Sequence, residues 1–284
     1  METTGEFFTS FNGAKLKIYK FGGSGPVLVI AHATGFNSLA YKNLASFLVS
    51  NFTVVGIDAE GHGQSEVTAD GHLWSNYPRH IEYFIGRSDL NEVYGFGHSF
   101  GGAALLQVAA KNSGTFKEIV TYEPVIFPGP AASQPNYSSP ITQLTLKRQF
   151  EFESREQAIS NFTSKPPMNS FAPQVVADYI EGGTYVNQGG TLQLTCDRQF
   201  EASVYAHAQM AGIEAMLAAV RCPVTYLYGQ NSKDFSFDFF DGIARSTPKA
   251  RLSNVDSVGH FGPFEAPERI AKIVIDTLSI NIPK

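Results

Sequence analysis

Short, uninterrupted apolar runs recur along the chain, separated by polar or glycine-rich breaks. Val27-Leu-Val-Ile-Ala31 is the clearest, and the pattern returns at Phe52 to Ile57, Val93 to Phe96, Glu118 to Tyr122 and Val224 to Tyr228. A run that is apolar throughout, rather than at alternate positions, is what a strand buried on both faces requires. Helical segments fill the gaps at Leu39 to Ser50, Pro78 to Arg87 and Phe100 to Lys111. Ser75-Asn76 ahead of Pro78 predicts a capped helix start with proline in its first turn. Near the N-terminus, Glu6 to Phe11 and Ala14 to Phe21 flank Asn12-Gly13, a dipeptide suited to the positive φ values of a tight hairpin turn. Strand and helix in alternation predict an α/β fold, with a mostly parallel sheet and helices on both faces.

That alternation lapses after Pro124. Residues 128 to about 220 hold several prolines, the polar stretch Ala131 to Pro140, and helical stretches near 141–162 and 172–181, with no buried strand. The sheet signal resumes at Cys222-Pro223 and closes with Ala250 to Val255 and a helix from Pro267 to Leu278. The expectation is a core formed by 1–127 and 221–284, with 128–220 inserted as a mainly helical cap over the carboxyl edge of the sheet. A chain of 284 residues is near the upper limit for one hydrophobic core, which suits one domain with an insertion.

Composition narrows the function. Hydrophobic residues at 43% and aromatics at 13% supply a core and an apolar pocket, and they exclude a disordered chain. Net charge is −5 and no basic run exceeds Lys147-Arg148, so no nucleic acid partner is expected. No run reaches the roughly 18 apolar residues a membrane span needs. The first residues lack the pattern of a secretory leader. Cys196 and Cys222 alone make no disulfide framework, and without C-x-x-C there is no zinc motif. A cytoplasmic protein acting on a small molecule is the expectation, and the sequons at Asn51, Asn136 and Asn161 then carry no weight.

The strongest chemical signal is Gly97-His-Ser-Phe-Gly101, which satisfies G-x-S-x-G directly after the strand at Val93 to Phe96 and directly before a helix. A chance match is a real hazard in a chain with 26 glycines, but the strand–turn–helix context argues against it. Such a reversal within a few residues strains the serine backbone, and the flanking glycines leave room for it. Ser99 is thereby projected above the sheet edge at a helix N-terminus, where negative charge is favoured.

With its preceding strand, Gly97 to Gly102 resembles the nucleophile elbow of the α/β-hydrolase fold superfamily. His32-Ala-Thr-Gly-Phe36 stands where members carry His-Gly and an oxyanion donor. Asp58-Ala-Glu-Gly-His-Gly-Gln-Ser65 resembles the D-x-x-G-H-G-x-S loop, and Gly259-His260 with Glu265-Ala-Pro267 resembles the segment bearing the catalytic histidine. The resemblance covers about 25–127 and 222–278; the insertion matches no motif.

A serine hydroxyl needs an adjacent base. His260, in a glycine-flanked loop after the last strand, is the candidate. His98 is read as packed support for Ser99, His32 and His62 as loop braces, and His72, His80 and His207 as without a chemical role. The orienting acid is open between two residues. The family's usual position falls on Ser232, so Asp234 serves only if the turn bulges, whereas Glu123 ends the strand after the nucleophile helix, where some members carry their acid. Oxyanion donors are expected at the N–H of Phe100 and at Ala33 or Thr34. Ala33 replaces the family's glycine there.

G-x-G-x-x-G is absent because Phe100 stands where a glycine is needed, and there is no P-loop or H-E-x-x-H. No cofactor or metal is implied. These residues point to a serine hydrolase acting on a small apolar ester, lactone or related carbonyl compound. The alternatives are a small-molecule receptor of the same fold with slow turnover, a cofactor-free lyase or oxygenase, and a carbon–carbon bond hydrolase. A serine nucleophile argues against dehalogenases and epoxide hydrolases, whose elbow carries aspartate.

Overall fold

Each apolar run of the sequence becomes a strand of one sheet. The computed structural model describes residues 2–88, 90, 92–129, 134–233 and 235–278. β1 (Thr4–Thr9), β2 (Lys15–Gly22) and β3 (Val27–Ala31) lead into α1 (Lys42–Leu48), β4 (Thr53–Ile57) and α2 (Asn76–Arg87). β5 (Val93–His98), α3 (Phe100–Lys111) and β6 (Phe116–Tyr122) follow. After the intervening stretch come β12 (Val224–Gly229), α9 (Phe237–Arg245), β13 (Ala250–Val255), the short α10 (Gly262–Glu265) and α11 (Pro267–Leu278). The eight-stranded sheet has the order β1-β2-β4-β3-β5-β6-β12-β13. Its β1/β2 and β2/β4 pairs are antiparallel, and the rest run parallel. Every residue of β5, at the centre, is buried, which is why its sequence shows no alternation.

The intervening stretch holds α4 (Pro140–Leu146), α5 (Arg155–Thr163), α6 (Pro173–Gly183), α7 (Arg198–Ala206) and α8 (Ile213–Ala219). Short strands lie among them: β7 (Phe127–Pro128), β8 (Glu151–Phe152), β9 (Thr184–Val186), β10 (Leu192–Leu194) and β11 (Gln209–Met210). None joins the central sheet: β8, β10 and β9 form a small sheet of their own, and β7 pairs with β11. The stretch does not float above the core. Phe162, Phe171, Val176 and Tyr179 share a buried cluster with Phe36, Leu39 and Phe264, and Asn37 Nδ2 donates to Tyr179 O at 2.9 Å.

At the end of the intervening stretch α8 packs on α3, and Leu217 and Val220 share a buried cluster with Leu105. Two expectations need correction. The first hairpin is not closed by a two-residue turn. Pairing ends at Thr9 with Lys15, and Asn12 is recruited elsewhere, accepting from Ala14 N–H at 3.2 Å and donating to Glu60 at 3.2 Å. Ser75 makes no capping bond at the start of α2; instead Asn76 Nδ2 donates to Asp70 O at 2.7 Å. Among the described residues no helix is long and apolar enough to cross a membrane.

Candidate active site

Ser99 sits between β5 and α3 with φ 54° and ψ −116°, a conformation that L-residues rarely adopt. Backbone bonds hold it there. Its N–H donates to Tyr122 O at 3.0 Å, and its carbonyl accepts from Ala103 N–H at 3.1 Å and Val125 N–H at 3.2 Å. The flanking glycines are required by contact rather than by φ. A Cβ on Gly97 would lie 2.6 Å from Gly102 Cα, and one on Gly101 would run into the Ala31 carbonyl. The turn therefore packs against β3 with no space to spare.

Glu123 follows directly on β6, is fully buried, and also has positive φ, 42°. Its Oε2 lies 2.7 Å from His260 Nδ1 and accepts from Ser232 Oγ at 2.9 Å, while Oε1 accepts from Gly229 N–H at 2.8 Å. A buried carboxylate costs several kcal/mol unless its lone pairs are met, and here three donors meet them. Ser232, the position where the family's acid is usually found, thus serves the carboxylate that β6 supplies. Asp234 lies outside the described residues.

His260 stands in the loop after β13, and its own loop is clamped. Gly259 N–H donates to Glu265 Oε2 at 2.8 Å, Tyr122 Oη donates to Gly259 O at 2.7 Å, and His98 Nε2 lies 2.9 Å from His260 O. With Nδ1 bonded to a carboxylate, the proton belongs on Nδ1, and Nε2 is left with its lone pair. His260 and Ser99 line one cavity of about 930 Å³, together with Ala33 and Thr34. Trp74, Val125, Phe127, Ile141 and Phe235 give it apolar walls, and Lys233 is a cation at its edge.

The loop after β3 separates its two candidate donors. Ala33 N–H already donates to Tyr41 Oη at 3.1 Å, so it is spent on the fold and is not free for an oxyanion. Among the described residues Thr34 N–H has no partner. Phe100 places its ring against Trp74 and Tyr77, with centroids 4.6 and 5.0 Å away, while its N–H opens α3.

The Asp58 loop braces this region without lining the cavity. Asp58 accepts from Ser38 N–H at 2.7 Å and Gln64 N–H at 3.2 Å, and burial raises its pKa to about 6. His32 Nε2 accepts from Ala59 N–H at 2.9 Å, which requires a neutral ring, and burial lowers its pKa to about 3. His80, expected to have no chemical role, is fully buried with Nε2 2.8 Å from Glu60. Sequence reasoning missed Tyr41, Ser232 and Glu265 as partners of site residues. Glu265 was within a quoted motif, but nothing in the local pattern marks Tyr41. Among the described residues no group of three or more His, Cys, Asp and Glu is placed to hold a metal ion.

Comparison with known proteins agrees with the fold. An uncharacterised protein of Mycobacterium tuberculosis is 30% identical over 93 residues, which is 33% of this chain and 27% of that protein. That match spans only about a quarter of the relative. The AB hydrolase superfamily protein YisY of Bacillus subtilis is 21% identical over 262 residues, 89% of this chain and 91% of that protein. The crystal structure of E-2-(acetamidomethylene)succinate hydrolase superposes with a TM-score of 0.82 at 20% identity, covering 98% of this chain and all of that one. The alpha/beta hydrolase family model matches residues 28–273, and the chain belongs to that family.

Proposed function

We propose that this protein is a serine hydrolase whose nucleophile is Ser99. His260 Nε2 takes the hydroxyl proton as Oγ attacks the substrate carbonyl, and Glu123 holds the resulting imidazolium. The N–H groups of Phe100 and Thr34 stabilise the oxyanion. Collapse of the tetrahedral species passes the proton from His260 to the leaving group and leaves an acyl-serine. Water, deprotonated by the same imidazole, then releases the acid and restores the hydroxyl.

One observation carries this reading. A buried carboxylate lies 2.7 Å from Nδ1 of a histidine that shares a cavity wall with a serine in strained backbone geometry. Carboxylate, imidazole and hydroxyl occur in the chain order of this fold, although the acid follows β6 rather than β12. The apolar walls favour a small ester, lactone or related carbonyl compound. The likeness to a succinate-derivative hydrolase carries the fold and not the substrate. Turnover of a panel of p-nitrophenyl esters and lactones tests the reading. Many turnovers per site, lost in Ser99→Ala, support it. A single slow turnover points to a receptor, and activity retained in Ser99→Ala points to chemistry led by the histidine.

A further inference from the structure

Three hydrogen bonds, the first two of them buried, run from the loop after β3 to the main chain of His260. Ala33 N–H donates to Tyr41 Oη at 3.1 Å, Tyr41 Oη and His98 Nδ1 are 2.7 Å apart, and His98 Nε2 is 2.9 Å from His260 O. Tyr41 and His98 are fully buried. Their direction is fixed by chemistry. A backbone N–H only donates, so the Tyr41 oxygen accepts it and its single proton goes to His98 Nδ1. Nδ1 is then an acceptor, the ring proton sits on Nε2, and Nε2–H meets a carbonyl that only accepts. Every donor has one acceptor, and no proton is left over.

The packing holds this chain in place. Phe264 lies 4.7 Å from Tyr41 and 5.5 Å from His98 between ring centroids, and Tyr122 packs edge-on to His98 at 5.7 Å. Burial, with the neighbouring His260 adding to it, holds the His98 imidazole well below the ordinary histidine range. A neutral ring is what the bonding pattern needs, since a protonated one would set a donor at Nδ1 against the tyrosine proton.

We infer that Tyr41 and His98 are positioning residues that fix the distance between the oxyanion loop at Ala33–Thr34 and the His260 imidazole. This rests on the serine-hydrolase reading above, because it is the base and the oxyanion donor that must be held in register. Neither residue touches the reacting atoms. Their contribution is precision, and a misplacement of 1 Å costs on the order of 100-fold in rate. A histidine beside the nucleophile thus acts on the base through the base's own backbone.

The test compares wild type with Tyr41→Phe, His98→Gln, His98→Ala and the double variant Tyr41→Phe/His98→Ala. Hydrolysis of p-nitrophenyl acetate gives kcat and KM, and 15N imidazole spectra report the His98 tautomer. Tyr41→Phe is expected to lower kcat by roughly 10- to 100-fold with KM within about twofold. The double variant is expected to be no worse than His98→Ala, because one broken link already opens the chain. His98→Gln, whose amide can still donate to His260 O, is expected to recover about tenfold over alanine. The wild-type spectrum should place the His98 proton on Nε2. A kcat for Tyr41→Phe within twofold of wild type, losses that multiply in the double variant, or a proton on Nδ1 would each overturn the inference. A wild type inert toward both the ester and a fluorophosphonate would defeat the serine-hydrolase reading by itself. The tautomer, with hydrogen exchange at Ala33 N–H in Tyr41→Phe, would still decide whether the relay exists.

Discussion

His260 Nδ1 lies 2.7 Å from Glu123 Oε2 across 137 positions of sequence, a direct hydrogen bond between two side chains that meet only in the fold. The same carboxylate accepts from Gly229 N–H and Ser232 Oγ. A glutamine at 123 would set its NH2 against Gly229 N–H, which can only donate, unless the amide turns its NH2 toward His260 Nδ1, which can then serve only as an acceptor. Glu123→Gln is expected to lower kcat on an ester substrate by about 10³- to 10⁴-fold, with KM little changed, because the histidine is driven to the wrong tautomer. Steady-state kinetics checks this, and a loss below tenfold would move the acid elsewhere.

Strain at Ser99 gives a prediction about stability. Its φ of 54° and ψ of −116° cost an L-residue on the order of 1–3 kcal/mol, which glycine avoids. Ser99→Gly is therefore expected to be more stable than Ser99→Ala by roughly 1 kcal/mol, after the extra entropy of an unfolded glycine is counted. Urea denaturation of the two inactive variants decides it. Equal or reversed stabilities would mean the turn is not strained.

The parts of the fold that were legible in the sequence are those where one local rule acts alone. Val93 to Lys111 reads directly, because a strand buried on both faces, a strained serine and two crowded glycines each leave a mark at short range. Ala250 to Val255 and Pro267 to Leu278 are likewise found where periodicity and proline place them. The short strands of the insertion were not legible, since two or three residues carry no period. Glu123 could be weighed against Asp234 but not chosen, because its partners His260, Gly229 and Ser232 come from more than 100 positions away. Tyr41 gave no signal, because its role depends on His98, 57 positions later.

The stretch between β6 and β12 carries a charged pair with one buried partner. Arg148 Nη2 is 2.6 Å from Glu201 Oε2, with the glutamate side chain 5% exposed. Removing one partner strands the other in a poorly solvated site. Arg148→Met is expected to cost about 3 kcal/mol, while the double variant Arg148→Met/Glu201→Leu recovers most of that loss. Thermal unfolding of the single and double variants distinguishes this from a pair that contributes nothing.

His62 links stability to pH. Burial above all, with Arg148 adding to it, lowers its pKa from 6.5 to about 4. Its Nδ1 is 2.9 Å from Glu60 O, and among the described residues Nε2 has no partner to welcome a proton. The folded pKa lies below the unfolded one, so the contribution is fully present above about pH 6.5 and is lost as pH falls toward 4. Over that window it amounts to about 3 kcal/mol. His62→Gln is expected to flatten the acid side of the stability profile by that amount relative to wild type. Parallel profiles would show that His62 titrates alike in both states.

The central claim is that Ser99 is a nucleophile activated by His260, and labelling with a fluorophosphonate tests it most directly. Stoichiometric modification of the wild type, mapped by mass spectrometry to Ser99 and absent in both Ser99→Ala and His260→Ala, is the predicted result. A folded wild type that stays unlabelled by probes small enough to enter the cavity, or one labelled at the same rate after His260→Ala, would contradict it.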